Sequence, residues 1–278
     1  MNLIWPGSEE NPMRLLVVAD LHYSLPQYDW VMSVASDYDV VIIAGDHLDL
    51  SSMVDPNAQI VVVGKYLARL REKTRLITCS GNHDLDARSA DGEKISRWIR
   101  EVPGVVTDGQ SFAIGDTFFS VCAWWDGPIE RDAIGAQFRA DASQPKHTWI
   151  WVYHAPPGQS PTSWGGSRSY GDAELGKWID EYKPDIVFAG HVHQAPFIKD
   201  GSWVDRVGST WVFNAGHQYG APPAHLIVDT DAREALWFSA AGREWVKLDE
   251  PLVRPVEKLR ATPDWLTPAD RPTGPAPA

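Results

Sequence analysis

Two imidazoles one residue apart, His191 and His193, follow the apolar run of residues 186–189, and Gly190 breaks that run where the chain must turn. In an extended segment side chains alternate, so both rings would share a face; in a turn they can address two neighbouring ions. Four upstream stretches repeat the pattern, each placing metal-ligand residue types directly after an apolar run. They are Asp20 and His22 after residues 15–19, Asp46 after 40–44, Asn82, His83 and Asp84 after 76–79, and His154 after 149–153. Ligands of open α/β sheets bind at the carboxyl ends of the strands. Five strand ends offering carboxylates, an amide and imidazoles therefore describe a single metal site.

The elements that must carry these residues are readable in order. Residues 13–19 read as a strand covered on both faces, 28–35 as a helix and 40–44 as a second buried strand. Asp55 caps a helix that has Pro56 in its first turn and runs to about residue 73, where Arg69, Arg71, Lys73 and Arg75 complement its dipole. Residues 76–79 form a third strand. This alternation implies parallel strands with crossover helices. Residues 110–114 and 117–121 flank Gly115-Asp116 as a hairpin, so antiparallel pairing enters there. A helix over 129–142, a strand over 148–153, a Gly- and Ser-rich loop over 157–171 and a helix over 172–182 lead to the strand before His191. Short strands over 211–214, 225–229, 234–239 and 244–248 close a mixed α/β pattern of two sheets, with no internal repeat.

The length of 278 residues, 44% of them hydrophobic, supports one substantial core. Residues 1–12 read as an N-terminal extension and 13–250 as the domain. Residues 251–278 read as a Pro-rich tail without regular structure, in which Trp265 is either an anchor or an exposed ring. A net charge of −12 argues against a nucleic-acid surface, which needs clustered cations. It leaves a phosphate substrate open, because bound divalent ions make a site locally positive. Cys79 and Cys122 lie inside strand runs and read as buried hydrophobes of a reducing compartment. The chain has neither a membrane-length apolar run nor a signal-peptide pattern, so the expected location is the cytoplasm; the oligomeric state is open.

The ordered blocks Asp20-x-His22, Gly45-Asp46, Gly81-Asn82-His83-Asp84, His154 and Gly190-His191-x-His193 resemble the signature of the calcineurin-like metallophosphoesterases. The stretch Asn214-Ala215-Gly216 resembles another found in that superfamily. The resemblance implies a four-layer α-β-β-α sandwich of two mixed sheets with a dinuclear metal centre. It places Asp20, His22 and His193 on one ion, Asn82, His154 and His191 on the other, and Asp46 between them. The ions would be Mn²⁺, Fe²⁺ or Fe³⁺, Zn²⁺ or Ni²⁺, since mixed N/O ligation does not select one. It also implies hydrolysis of a small-molecule phosphate ester by a water or hydroxide activated between the two ions. His83 would then serve as the acid at the leaving group and Asp49 would orient it, with Asp84 as a competitor for that role.

Leu50 stands where the protein Ser/Thr phosphatases of the superfamily carry arginine, and the intact Asn82-His83-Asp84 block resembles the class III cyclic-nucleotide-type phosphodiesterases. A phosphodiesterase is thus the favoured expectation. A broad phosphomonoesterase or nucleotidase is the alternative, and a non-catalytic scaffold is the rival from outside enzymology. Loops beside a rigid site carry specificity. Arg168 is therefore a candidate phosphate contact, and Trp164 or Trp125 a candidate stacking surface for an aromatic leaving group. His217 either faces the substrate or sits in a surface turn. His47, His147 and His225 read as structural.

Overall fold

The computed structural model describes residues 13–266. The chain runs β1 (Arg14–Val18), α1 (Leu25–Val34), β2 (Val40–Ala44), α2 (Pro56–Leu70) and β3 (Arg75–Cys79). After these come β4 (Ala87–Arg88), β5 (Lys94–Ile95), α3 (Arg97–Arg100), β6 (Gln110–Ile114), β7 (Thr117–Val121) and α4 (Pro128–Ala142). Then follow β8 (Thr148–Val152), α5 (Ala173–Tyr182), β9 (Ile186–Ala189), β10 (Val204–Val207) and β11 (Thr210–Asn214). The last strands are β12 (His225–Asp229), β13 (Glu234–Ser239), β14 (Gly242–Lys247) and β15 (Glu257–Lys258).

One sheet has the order β15-β14-β13-β12-β1-β2-β3, and a second has β10-β11-β9-β8-β7-β6. Strands β1, β2 and β3 pair in parallel, as do β7, β8, β9 and β11. The remaining strands join antiparallel, so both sheets are mixed.

Alternation along the strands explains the layering. Leu15, Val17, Val40, Ile42 and Ile77 face Phe119, Val121, Ile150, Val152 and Phe188 of the opposite sheet. Their neighbours Leu16, Val18, Val41 and Ile43 turn outward under Tyr28 and Val31 of α1 and Val63, Leu67 and Leu70 of α2. On the other sheet, Phe118, Trp149, Trp151 and Val187 lie under Ile134 and Phe138 of α4 and Leu175, Trp178 and Ile179 of α5. The result is the expected α-β-β-α sandwich. The parallel strands of both sheets end on one side, which gathers the five ligand-bearing loops.

Two differences from the sequence reading have physical causes. Strand β10 is not among the expected strands: its Val-Asp-Arg-Val sequence shows no buried run, and it gains its place by pairing with β11. The tail is also not devoid of regular structure. Glu257 and Lys258 pair with Trp245 and Glu244, at positions clear of Pro251, Pro255 and Pro263, so the missing proline amides break no ladder bond. Trp265 is an anchor, packing against the core cluster on the outer face of the seven-stranded sheet and donating its indole N–H to Glu234 at 2.6 Å. The extension over residues 1–12 and the tail after residue 266 lie outside the described residues.

Candidate metal centre

Asp20, His22, Asp46 and His193 present ligand atoms within 4.8 Å of one another, and so do Asp46, His154 and His191. Asp46 is common to both groups. Asn82 joins the second through its Oδ1, 2.9 Å from His191 Nδ1. All seven expected ligands are thus brought together, at the ends of β1, β2, β3, β8 and β9.

The loops that hold them are tight. Asp20, His22, Asp46 and His191 adopt left-handed backbone, with φ of 55°, 40°, 53° and 66°. Such strain persists only where the surroundings enforce it. Here the Asp20 and His22 amides donate to the carbonyls of Gly45 and Asp46, each at 3.0 Å. The His191 amide donates to the Asp20 carboxylate at 3.0 Å. Close approach is the other requirement. A Cβ on Gly81 would lie 2.1 Å from Asp46 Oδ1, and one on Gly190 would lie 2.5 Å from Asp20 Oδ2.

The protonation pattern suits metal ligation. The Nδ1 of His154 donates to the Ala44 carbonyl at 2.7 Å, and the Nδ1 of His22 to the Leu48 carbonyl at 3.1 Å. Each bond occupies Nδ1 and leaves Nε2 as the nitrogen that faces the cluster. His154 Nε2 is buried without a hydrogen-bond partner, 3.3 Å from Asp46 Oδ2, and His22 Nε2 lies 2.9 Å from His193 Nε2. An orphaned imidazole nitrogen, a converging nitrogen pair and two buried carboxylates form a donor set that fits first-row divalent ions.

Charge balance tells the same story. Burial pulls His154 down, but Asp46 and Asp20 outweigh it and push it up to about 9. His193 is likewise raised, the Asp20 contact overcoming burial. Burial and then the charge of His154 take His191 down to about 4. Burial would raise Asp46, yet the surrounding imidazoles hold it below the usual carboxylate range. The two carboxylates thus draw positive charge into a buried site, which a cation can supply.

His83 stands beside this cluster, its Nε2 4.0 Å from Asp46 Oδ2 and its ring centroid 4.6 Å from that of His22. The expected bond from Asp49 to this ring is not formed. Asp49 Oδ1 accepts from the amide and hydroxyl of Ser51 at 2.8 and 2.6 Å, and His83 Nδ1 instead accepts from the Leu50 amide at 3.4 Å. Asp84 does not reach the ring either. Its Oδ1 accepts from the amides of His47 and Leu48, and its Oδ2 from that of Gly81, so it stitches together the loops after β2 and β3.

His217 is brought into the site, contrary to the surface-turn reading. Its Nδ1 is 2.7 Å from the Asp20 carbonyl and its ring 4.9 Å from that of His193. Trp164, by contrast, spends its indole N–H on the Lys199 carbonyl, and exposed Arg168 lies 4.6 Å over the Tyr170 ring. No hydrogen bond or ring contact joins either to an expected ligand residue. Trp125 donates to Tyr153 Oη at 2.7 Å and Asp172 Oδ2 at 3.0 Å. Its neighbour Trp124 is the aromatic that reaches the centre, 5.1 Å from the His191 ring and 5.6 Å from His154. The two tryptophans follow β7 in an irregular segment, where no strand alternation tells from sequence which of them points inward. His47 is structural as expected, buried between Tyr28 Oη at 2.8 Å and Thr78 Oγ1 at 2.6 Å.

The model of the calcineurin-like phosphoesterase family matches residues 13–195. The chain belongs to that family. Its members are metal-dependent hydrolases of phosphate esters, and the Asp and His cluster is this chain's candidate metal-binding centre. Among solved structures, TT1561 of Thermus thermophilus is similar with a TM-score of 0.53 at 13% identity, covering 86% of this chain and 100% of its own. The purple acid phosphatase PPD1 from yellow lupin (Lupinus luteus) seeds is similar with a TM-score of 0.55 at 16% identity, over 90% of this chain and 54% of its own. At such identities these likenesses speak for the fold. No curated protein matches the chain. Among the described residues, no helix is long and apolar enough to cross a membrane.

Proposed function

We propose that this family member hydrolyses phosphodiesters, and that its cluster holds two divalent ions. The observation that carries this reading is the membership of Asp46 in both ligand groups, one buried carboxylate shared by two sets of donors. Asp20, His22 and His193 would hold one ion and Asn82, His154 and His191 the other. When bound, such a pair supplies Lewis acidity and an activated water for attack at phosphorus.

The chain's own residues do the rest. Because His83 Nδ1 accepts from the Leu50 amide, the ring keeps its proton on Nε2, the atom nearer the cluster. There it can donate to the departing oxygen. Asp49, near enough to act through charge, is a positioning residue at most in this state. The adjoining Leu50 supplies no arginine for a phosphoprotein, and the Asn82-His83-Asp84 block favours the class III phosphodiesterase type. His217 and Trp125 are substrate contacts in this reading; Arg168 and Trp164 would reach the substrate only by leaving their present partners. Mn²⁺ is the proposed ion, a small phosphodiester the substrate and the cytoplasm the location.

The test is hydrolysis of bis- and mono-p-nitrophenyl phosphate by metal-stripped protein with Mn²⁺ restored, beside Asp46→Ala. Metal-restored turnover favouring the diester is expected, absent in the variant. A monoester preference would overturn the diester assignment, and no turnover with ions demonstrably bound would favour a scaffold.

A further inference from the structure

Beside the metal centre lies a cavity of about 420 Å³ walled by Trp124, Trp125, Tyr153 and Tyr170, with Asp172 and Glu174 in its lining. No lysine or arginine lines it. Trp124 is the shared wall, since the same ring lies against His191 and His154. Both tryptophans are half-buried, so ring surface remains open to a ligand.

The two carboxylates differ in their commitments. Asp172 caps α5, accepting from the Glu174 amide at 2.8 Å through Oδ1, while its Oδ2 accepts from Trp125 Nε1 and the Tyr153 hydroxyl. It therefore fixes two of the aromatic walls. Glu174 pairs with the exposed Lys177 at 2.6 Å, a contact with a solvated ammonium that stabilises little. The N-terminus of α5 adds about half a positive charge here, which the Asp172 carboxylate alone exceeds. Aromatic faces attract cations through their quadrupoles, more strongly as water is excluded. Arg168 already uses the Tyr170 ring, so recognition falls to the two tryptophans and the acidic lining.

We propose that this cavity is a subsite for an ammonium group, and that the preferred substrates are phosphodiesters in which one alcohol carries a quaternary or primary amine. This rests on the phosphodiesterase reading of the adjoining centre. An uncharged aromatic group would find the same walls but no use for the carboxylates.

The deciding comparison is p-nitrophenyl phosphorylcholine against its neohexyl isostere, in which carbon replaces the quaternary nitrogen. In both, water adds to phosphorus, the aryl P–O bond breaks and p-nitrophenolate leaves, so only the charge differs. The Mn²⁺-restored chain should favour the choline ester in kcat/KM by about tenfold, a typical worth for a partly desolvated cation on aromatic rings. In Trp125→Leu and Glu174→Gln this ratio should fall toward unity. Calorimetric titration of metal-free protein with choline and with neohexyl alcohol gives a readout independent of turnover, and choline alone should bind. Equal handling of the charged and neutral probes, or binding of neither while bis-p-nitrophenyl phosphate is hydrolysed, would overturn the subsite and leave the phosphodiesterase reading intact. Choline binding without any diester turnover would support the subsite and sink the phosphodiesterase reading instead.

Discussion

Replacing Gly81 by alanine adds one carbon at a crowded point of the candidate metal centre. The new Cβ would lie 2.1 Å from Asp46 Oδ1 and 2.6 Å from the Asp46 amide nitrogen. Ordinary contact starts at 3.4 Å, so the carboxylate must retreat by more than an ångström, and the backbone beside it cannot simply rotate away. Gly81 has no positive φ, so the effect is one of space and not of backbone conformation. Overpacking of this kind costs about 1–3 kcal/mol of stability, and a displacement of about an ångström in a reacting constellation can cost about a hundredfold in rate. The assay pairs Mn²⁺-dependent diester hydrolysis and Mn²⁺ titration with urea unfolding. Gly176→Ala in the middle of α5, where an added Cβ meets nothing within 4 Å, is the control and should gain about 0.5–1 kcal/mol. Wild-type turnover and Mn²⁺ affinity in Gly81→Ala would refute the claim that Asp46 is held by this contact.

Other perturbations separate the roles of neighbouring groups. His83→Ala should lower kcat by about 10²–10⁴-fold with Mn²⁺ stoichiometry unchanged, read by steady-state kinetics and metal analysis. Asp84→Ala would leave three buried amides without acceptors, at about 1–3 kcal/mol each, and should unfold at much lower urea concentration. Asp108 is pushed up to about 6 by burial, so the folded chain binds a proton more tightly than the unfolded one. Its contribution is full below about pH 4 and lost as pH rises through about 6, about 3 kcal/mol over the window. Asp108→Asn should flatten that part of the urea stability profile; an unchanged slope would contradict the shift.

The candidate metal ligands were legible because each is written locally, as a polar residue after an apolar run, and strand ends meet by topology. The Gln110–Ile114 and Thr117–Val121 hairpin and the Asp55 cap were legible for the same reason. What sequence could not supply was direction across space. Trp124 and Trp125 are chemically alike, and their separate partners, His191 and His154 for one and Tyr153 and Asp172 for the other, are distant in sequence. His217 has no motif of its own, and the Asp20 carbonyl that receives it is remote in the chain. Asp49 shows the reverse error: a family role suggested a contact that the Ser51 hydroxyl and amide take instead.

Strand β15 has a consequence beyond the anchoring of the tail. An exposed strand edge is a template for pairing with another chain. At one side of the seven-stranded sheet, Glu257 and Lys258 lie along Trp245 and Glu244; at the other, Val106 bridges to Ile77 beside β3. Both rims are thus closed by a few residues each, and one of the closures bears two charged side chains. A chain shortened before residue 257 would lose these two paired residues and present the β14 edge to its own copies.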